Sequence, residues 1–389
     1  MPSKSPGVRV NPALLKWARE SVAASVEDIA TRLGVGADTV EKWEAGEESP
    51  TLRALERIAS YCKRPLAALF LSEAPPVAPL PRDFRTLPNQ AHAPLTRKSR
   101  IIIRRSRRLQ KLAEDLLTEL GLPVASISRA IALSENPEDV ARGERERLGV
   151  TVEQQTRIKD YYKAFMTWRA ALERINVFVF RFPMPLDESR GFSLADADPR
   201  VIVVNSSDSE AAKNFTLFHE YAHVLLRTAG LCLFEEAADP QGNPTEVFCN
   251  RFAASFLVPL DALLREEALT QSASPEDLRD EDVQHMAARF GVSRYVIWRR
   301  ILEAGGLSER AYWERVNRWK AAPPVRGRIK RALPHAERCL RQRGPKFASL
   351  VLEAKGRNLI TYRDLIDYIG LNPKDIGSLE SRLRGDRGT

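Results

Sequence analysis

Cysteine is scarce in this chain of 389 residues: Cys62, Cys232, Cys249 and Cys339 are all it has, and no two stand in a CxxC spacing. That spacing argues against a disulfide framework and against a thiolate metal cluster. It leaves buried free thiols of a reducing compartment as the reading. Long apolar runs are missing as well. No stretch approaches the roughly 20 apolar residues of a membrane span, and Met1 to Pro6 is polar where a secretion signal would be apolar. A cytoplasmic protein with no membrane partner is the expectation. At 389 residues the chain has room for two or three domains. Histidine is nearly as rare, with five in all, yet two of the five share one pentapeptide.

That pentapeptide is His219-Glu220-Tyr221-Ala222-His223. It lies between Phe215-Thr216-Leu217-Phe218 and Val224-Leu225-Leu226, with no Gly or Pro to interrupt a helix. Positions i and i+4 share one helical face, so both imidazoles can bind one metal ion. Glu220 stands beside the first ligand and can act as general base on a water at the metal. Tyr221 points away from that face and reads as packing. The other way to read the segment is a buried helix whose histidines only pack and hydrogen-bond. His285 and His335 are isolated and stay outside the site.

A catalytic zinc keeps three protein ligands and one open position. The extended pattern HExxHxxGxxH is absent, because Leu226 and Ala229 occupy the decisive places. Glu246 is the preferred third ligand, at the start of a second buried helix with apolar Phe248, Phe252, Phe256 and Leu257. Glu235, Glu236 and Asp239 remain competitors, in a loop near Gly242 and Pro244 where ligand geometry is harder to hold. Ahead of the pentapeptide, Ile175 to Phe182, Arg190 to Leu194 and Val201 to Asn205 read as strands divided by Asp/Pro turns. The strand just before the metal helix is either an edge that an extended substrate can join or a plain core strand.

Residues 11–71 have the punctuation of five short helices, with an N-cap at Ser25 and stops at Gly34 and Gly46. The run Ile29-Ala30-x-x-Leu33-Gly34-Val35 with Val40, Trp43-Glu44, Gly46, Pro50 and Leu55 resembles the Cro/repressor type of helix-turn-helix domain. That resemblance implies a recognition helix in the major groove, with Thr39, Lys42 and Arg32 as candidate DNA contacts and Asp38 within reach. Charge argues the other way. Asp38, Glu41, Glu44, Glu47 and Glu48 face a single Lys42, and residues 1–75 hold ten Lys/Arg and ten Asp/Glu, whereas phosphate contacts need clustered cations. A protein-docking module is the alternative.

A second resemblance lies downstream. Glu173-Arg174-Ile175-Asn176-Val177, Arg190-Gly191-Phe192-Ser193, the Val-Val-Asn strand end, Phe215 to His223, and Glu246-x-x-Cys249-Asn250-Arg251-Phe252-Ala253-Ala254 followed by Leu257-Val258-Pro259 look like the ImmA/IrrE family of zinc metallopeptidases over roughly residues 160–310. The family usually has Ala where this chain has Cys249. The resemblance implies His219, His223 and Glu246 as zinc ligands, Glu220 as the group that activates water, and a helix-turn-helix repressor as the substrate whose cleavage derepresses genes.

The net charge of +9 is unevenly spread. Residues 82–111 carry ten Lys/Arg against Asp83 alone, and residues 315–346 carry eleven against Glu337. Both blocks favour nucleic acid or an acidic partner surface; the plain alternative is a solvated linker or helix face. The expected fold is mainly α with a small β-sheet, an α+β arrangement. Its parts are a helix-turn-helix bundle (1–72), a Pro/Arg-rich linker (73–98), a helical bridge (99–172), a zincin-like peptidase core (173–310) and a basic, helical C-terminal region (311–389). Residues 283–307 repeat the helix-turn-helix spacing, but the family resemblance assigns them to the peptidase. The expected function is a zinc endopeptidase that cleaves a repressor, with Zn2+ as cofactor, DNA as a second partner and a dimer as one oligomeric option. The rival is a regulator or antitoxin-like module whose peptidase-like domain senses a ligand or partner and cuts nothing.

Overall fold

The computed structural model describes residues 6–75, 95–125, 129–227, 231–232, 243–320 and 333–385. The competitor ligands Glu235, Glu236 and Asp239 and most of the 73–98 linker lie outside them. Contacts divide the described residues into a first unit, up to Arg105, and a second, from Ser106 on.

The first unit holds α1 (Pro12–Glu20), α2 (Val26–Leu33), α3 (Ala37–Ala45) and α4 (Leu52–Cys62). Ser25 and Asp28 form a reciprocal capping box at the start of α2, and Gly34 and Gly46 close α2 and α3 in the left-handed region. Leu15, Ile29, Val40, Trp43, Leu55 and Ile58 fill the core. The expected fifth helix is instead a 3-10 turn, Leu66–Phe70. It opens with Ala68 N–H bonded to Pro65 C=O, and so short a segment has too few i→i+4 partners to settle as α.

Helix α5 (Arg97–Glu119) runs on into the second unit. There follow α6 (Pro137–Leu148), α7 (Val152–Arg157), α8 (Tyr161–Arg174), α9 (Glu210–Leu225), α10 (Pro244–Leu257), α11 (Leu260–Leu263), α12 (Glu267–Gln271), α13 (Asp280–Phe290), α14 (Arg294–Glu303), α15 (Glu309–Lys320), α16 (His335–Arg343), α17 (Pro345–Gly356), α18 (Tyr362–Ile369) and α19 (Ile376–Gly385). The expectation of continuous helix over 99–172 fails after Leu120, where Gly121 turns at φ +70° and Pro123 follows. The next helix starts only at Pro137.

Four strands, β1 (Phe178–Phe182), β2 (Gly191–Leu194), β3 (Val201–Asn205) and β4 (Leu231–Cys232), lie in the order β1-β3-β2-β4. β3 runs parallel to β1 and antiparallel to β2. Every residue of β1, β2 and β3 is buried, as expected of a sheet covered on both faces. The strand just ahead of the HExxH helix is therefore interior: β3 spends both ladders on β1 and β2 and has no free edge for a substrate. Asn205 closes β3 by accepting from Met184 and Ser207 N–H and donating to Met184 and Ser189 C=O.

α8, α9 and α10 meet in an aromatic cluster. Trp168 lies edge-on to Phe218 at 5.1 Å, and Phe218 stacks on Phe256 at 3.9 Å. Burying each such ring contributes about 1.5–3 kcal/mol, so the helix that carries the histidines is clamped at its middle. The C-terminal helices belong to the same body. Phe347 of α17 sits edge-on to Phe178 and Phe180 of β1, and the buried Arg169 of α8 donates to Leu340 and Arg341 C=O at 3.1 and 3.0 Å. No described helix is long and apolar enough to cross a membrane.

Candidate metal centre

α9 starts at an N-cap, Ser209, whose hydroxyl takes Ala212 N–H. It then runs unbroken through the pentapeptide. α10 starts at Asn243 with Pro244 at the first helical position, so Glu246 falls in the first turn, where the helix dipole favours a carboxylate. The two helices pack side by side. His219 Nε2 lies 3.1 Å and His223 Nε2 3.2 Å from the two Glu246 oxygens. The two Nε2 atoms are 3.2 Å apart. Both histidines are buried and Glu246 is nearly so.

Nothing in the sequence reading singled out Asn250. Its Oδ1 lies 2.9 Å from His219 Nδ1, so the ring donates there and keeps its lone pair on Nε2, facing Glu246. The available signal was position: Asn250 stands one turn after Glu246 on the same helical face.

Glu220 is fully buried, and neither carboxylate oxygen completes a hydrogen bond among the described residues. Burial pushes its carboxyl up to about 7, against the pull of the His223 and His219 charges. For Glu246 burial is overridden: when the two imidazoles are protonated, their hydrogen bonds and charge hold its carboxyl well below the usual carboxylate range. Tyr221 is more than packing. Its hydroxyl donates to Glu144 at 2.6 Å and accepts from Arg147, both on α6.

The approach of α9 to the sheet depends on one glycine. A Cβ on Gly191 would lie 2.5 Å from Thr216 Cγ2, 2.8 Å from Val203 O and 3.5 Å from Glu220 Cγ. Only a residue without a side chain lets the Glu220-bearing turn of α9 lie against β2 and β3.

These are the chemical requirements of a cation site. Two imidazole lone pairs and a carboxylate converge, with one ligand atom from each within 4.8 Å of the others. The Asn250 contact favours the His219 tautomer whose Nε2 lone pair faces the cluster, and a buried carboxylate that completes no hydrogen bond among the described residues stands on the next residue. Residues 172–302 match the model of the IrrE N-terminal-like peptidase domain. Residues 13–69 match a helix-turn-helix domain. No curated protein matches the chain. The chain therefore joins a helix-turn-helix domain to an IrrE-like peptidase domain. The IrrE-like match takes in α13 and α14, whose helix-turn-helix spacing the resemblance had assigned to the peptidase.

The candidate DNA contacts fare differently. Arg32 is exposed at the end of α2, and Thr39 is half-buried on α3. Lys42 is paired with Glu48 at 3.5 Å and Asp38 at 3.9 Å, and Glu44 is held by Arg19 through two 2.7 Å bonds. The basic block of α5 is largely engaged: Arg97 donates to Tyr61 C=O, Arg104 to Cys62 and Lys63 C=O, and Arg107 to Asp196. The first two bind the last carbonyls of α4, where the dipole attracts cations. In the second block, Arg315 lies over Trp298, Arg341 pairs with Glu337, and Arg343 and Lys346 donate to backbone carbonyls; residues 321–332 fall outside the described residues.

Proposed function

We propose that the IrrE-like unit is a zinc-dependent endopeptidase, with His219, His223 and Glu246 as the metal ligands and Glu220 as the general base. The observation that carries this reading is the conjunction of a two-imidazole, one-carboxylate cluster with a buried carboxylate whose oxygens complete no hydrogen bond among the described residues, one residue from the first ligand. A buried acceptor left unpaired is costly in a purely structural helix, and a general base needs such an acceptor.

A bound zinc ion would supply Lewis acidity, polarising the scissile carbonyl and making water easier to deprotonate. The chain's own residues do the rest. Asn250 holds the His219 ring in its ligating tautomer. Glu220 takes the proton from the attacking water and returns it to the departing amide nitrogen. Gly191 keeps the helix close enough to the sheet for Glu220 to stay dry. The substrate proposed from the family resemblance is a helix-turn-helix repressor whose cleavage switches genes on.

The test is metal content together with cleavage. Protein purified without chelator should hold about one zinc per chain, lost in His223→Ala and Glu246→Ala. Glu220→Gln should keep the metal and lose cleavage of the repressor. A folded, metal-free wild type would end this reading in favour of a regulator that cuts nothing.

A further inference from the structure

The turn that defines the N-terminal helix-turn-helix recurs in the second unit. Gly34 ends α2 in the left-handed region at φ 75°, ψ 40°; Gly291 ends α13 at φ 70°, ψ 30° and Gly370 ends α18 at φ 65°, ψ 38°. The burial register around the three glycines is shared. Five residues before, one before, six after and nine after the glycine are Ile29, Leu33, Val40 and Trp43 in the first; Met286, Phe290, Ile297 and Arg300 in the second; and Leu365, Ile369, Ile376 and Leu379 in the third. All twelve are buried. α18 also opens on a capping box, Thr361 with Asp364, in the place of Ser25 with Asp28. Its second helix begins with a 3-10 turn, Pro373–Asp375, before α19.

What separates the three is the face left to solvent. α14 has little to offer, since Val296, Ile297, Trp298, Arg300 and Ile301 are all buried. α3 offers acids. At the matching places of the third turn, Lys374 stands for Asp38, Gly377 for Glu41, Ser378 for Lys42, Leu383 for Glu47 and Arg384 for Glu48, and only Glu380 keeps an acid, in the place of Glu44. Lys374, Gly377, Ser378, Ser381 and Arg382 are exposed, and steps of three and four residues put Lys374, Ser378 and Ser381 on one side. A Cβ on Gly377 would meet nothing. Arg382 and Arg384 make only long surface pairs, to Glu337 at 3.8 Å and Glu380 at 3.6 Å, which yield readily to phosphate. α18 rests on α17 and α19 on α16, and those contacts leave this face uncovered among the described residues.

We propose that α18–α19 is a second helix-turn-helix, and that it binds duplex DNA through the Lys374–Ser378–Ser381–Arg382 face while the acidic α3 contributes little. Small hydroxyl side chains between cations suit phosphate and groove contacts. Acids on α3 repel the same backbone.

The test needs no peptidase activity, so it stands apart from the zinc reading. Anisotropy of a labelled mixed-sequence duplex of about 30 bp, titrated with the full chain at several salt concentrations, reads both affinity and salt slope. Lys374→Glu/Arg382→Glu/Arg384→Glu should weaken binding by about tenfold or more and reduce the slope of log K against log salt by about 2–3, since each lost phosphate contact removes about 0.9. Arg32→Glu/Lys42→Glu on the first unit should change affinity by less than about threefold. The milder Lys374→Gln/Arg382→Gln pair, checked for an unchanged melting temperature, must show a fall of the same sign. The proposal is overturned if the α3 variant abolishes binding while the α19 variants keep it, or if the wild type has no salt-dependent affinity for the duplex.

Discussion

Asn250→Ala is the most informative single change, because it leaves all three proposed ligands in place. In the structure Asn250 takes the Nδ1 proton of His219 at 2.9 Å. Without it the ring can flip tautomer and present N–H where a lone pair is needed. Outer-shell partners of this kind are worth about 10–100-fold in metal affinity; a mid-range loss of about 30-fold is the expectation. The loss can be read as stability. With free zinc at about 100 times the wild-type dissociation constant, binding stabilises the wild type by about 2.7 kcal/mol. For a site 30-fold weaker the same relation gives about 0.9 kcal/mol. The difference of about 1.8 kcal/mol corresponds to about 4–7 °C in melting temperature for a unit of this size. Differential scanning calorimetry with zinc and with chelator separates this from any loss in the metal-free protein, where one hydrogen bond costs about 1 kcal/mol. If zinc raises the melting temperature of Asn250→Ala as much as that of the wild type, Asn250 does not orient the ligand.

Gly191→Ala should destabilise the second unit by about 1–3 kcal/mol, seen as a lower urea midpoint, because its Cβ would lie 2.5 Å from Thr216 Cγ2 and 2.8 Å from a backbone oxygen. Arg300→Met should cost about 3 kcal/mol, since the buried guanidinium serves Glu138, Glu303 and the Val258 carbonyl at once; the urea midpoint reads it, and an unchanged value would show that the network contributes nothing. Glu210 is half-buried, which alone would raise its carboxyl, yet Arg181 and Lys213 hold it below the ordinary glutamate value. The unfolded chain therefore takes up this proton first, and the stabilisation is complete above the usual glutamate range near pH 4.5 and lost as pH falls below it. Urea midpoints from pH 7 down to pH 3 should show a shallower acid decline in Glu210→Gln than in the wild type.

What the sequence could say about the site depended on how local the relation was. The HExxH spacing placed both imidazoles on one face of α9 because one helix carries both. Glu246 was reachable through its position in the first turn of an apolar helix. Asn250 needed the knowledge that its face of α10 meets α9. The Tyr221–Glu144–Arg147 contact joins helices that nothing local connects. Strand order was equally hidden: β3 reads the same as an edge or an interior strand until its partners are known. The basic blocks are ambiguous for another reason, since counting charges gives no direction. Arg97 and Arg104 turn out to be the caps of α4 and not a free phosphate surface.

One contact changes where the IrrE-like unit ends. The family match stops at residue 302, but Phe347 closes over Phe178 and Phe180, and Lys346 donates its backbone N–H to Glu173, the buried partner of Arg169. A protein cut after residue 302 would bare the outer face of β1 and open a buried ion pair to water. The matched module and the cooperative folding unit thus have different borders, and a truncation that respects only the first should yield an insoluble fragment.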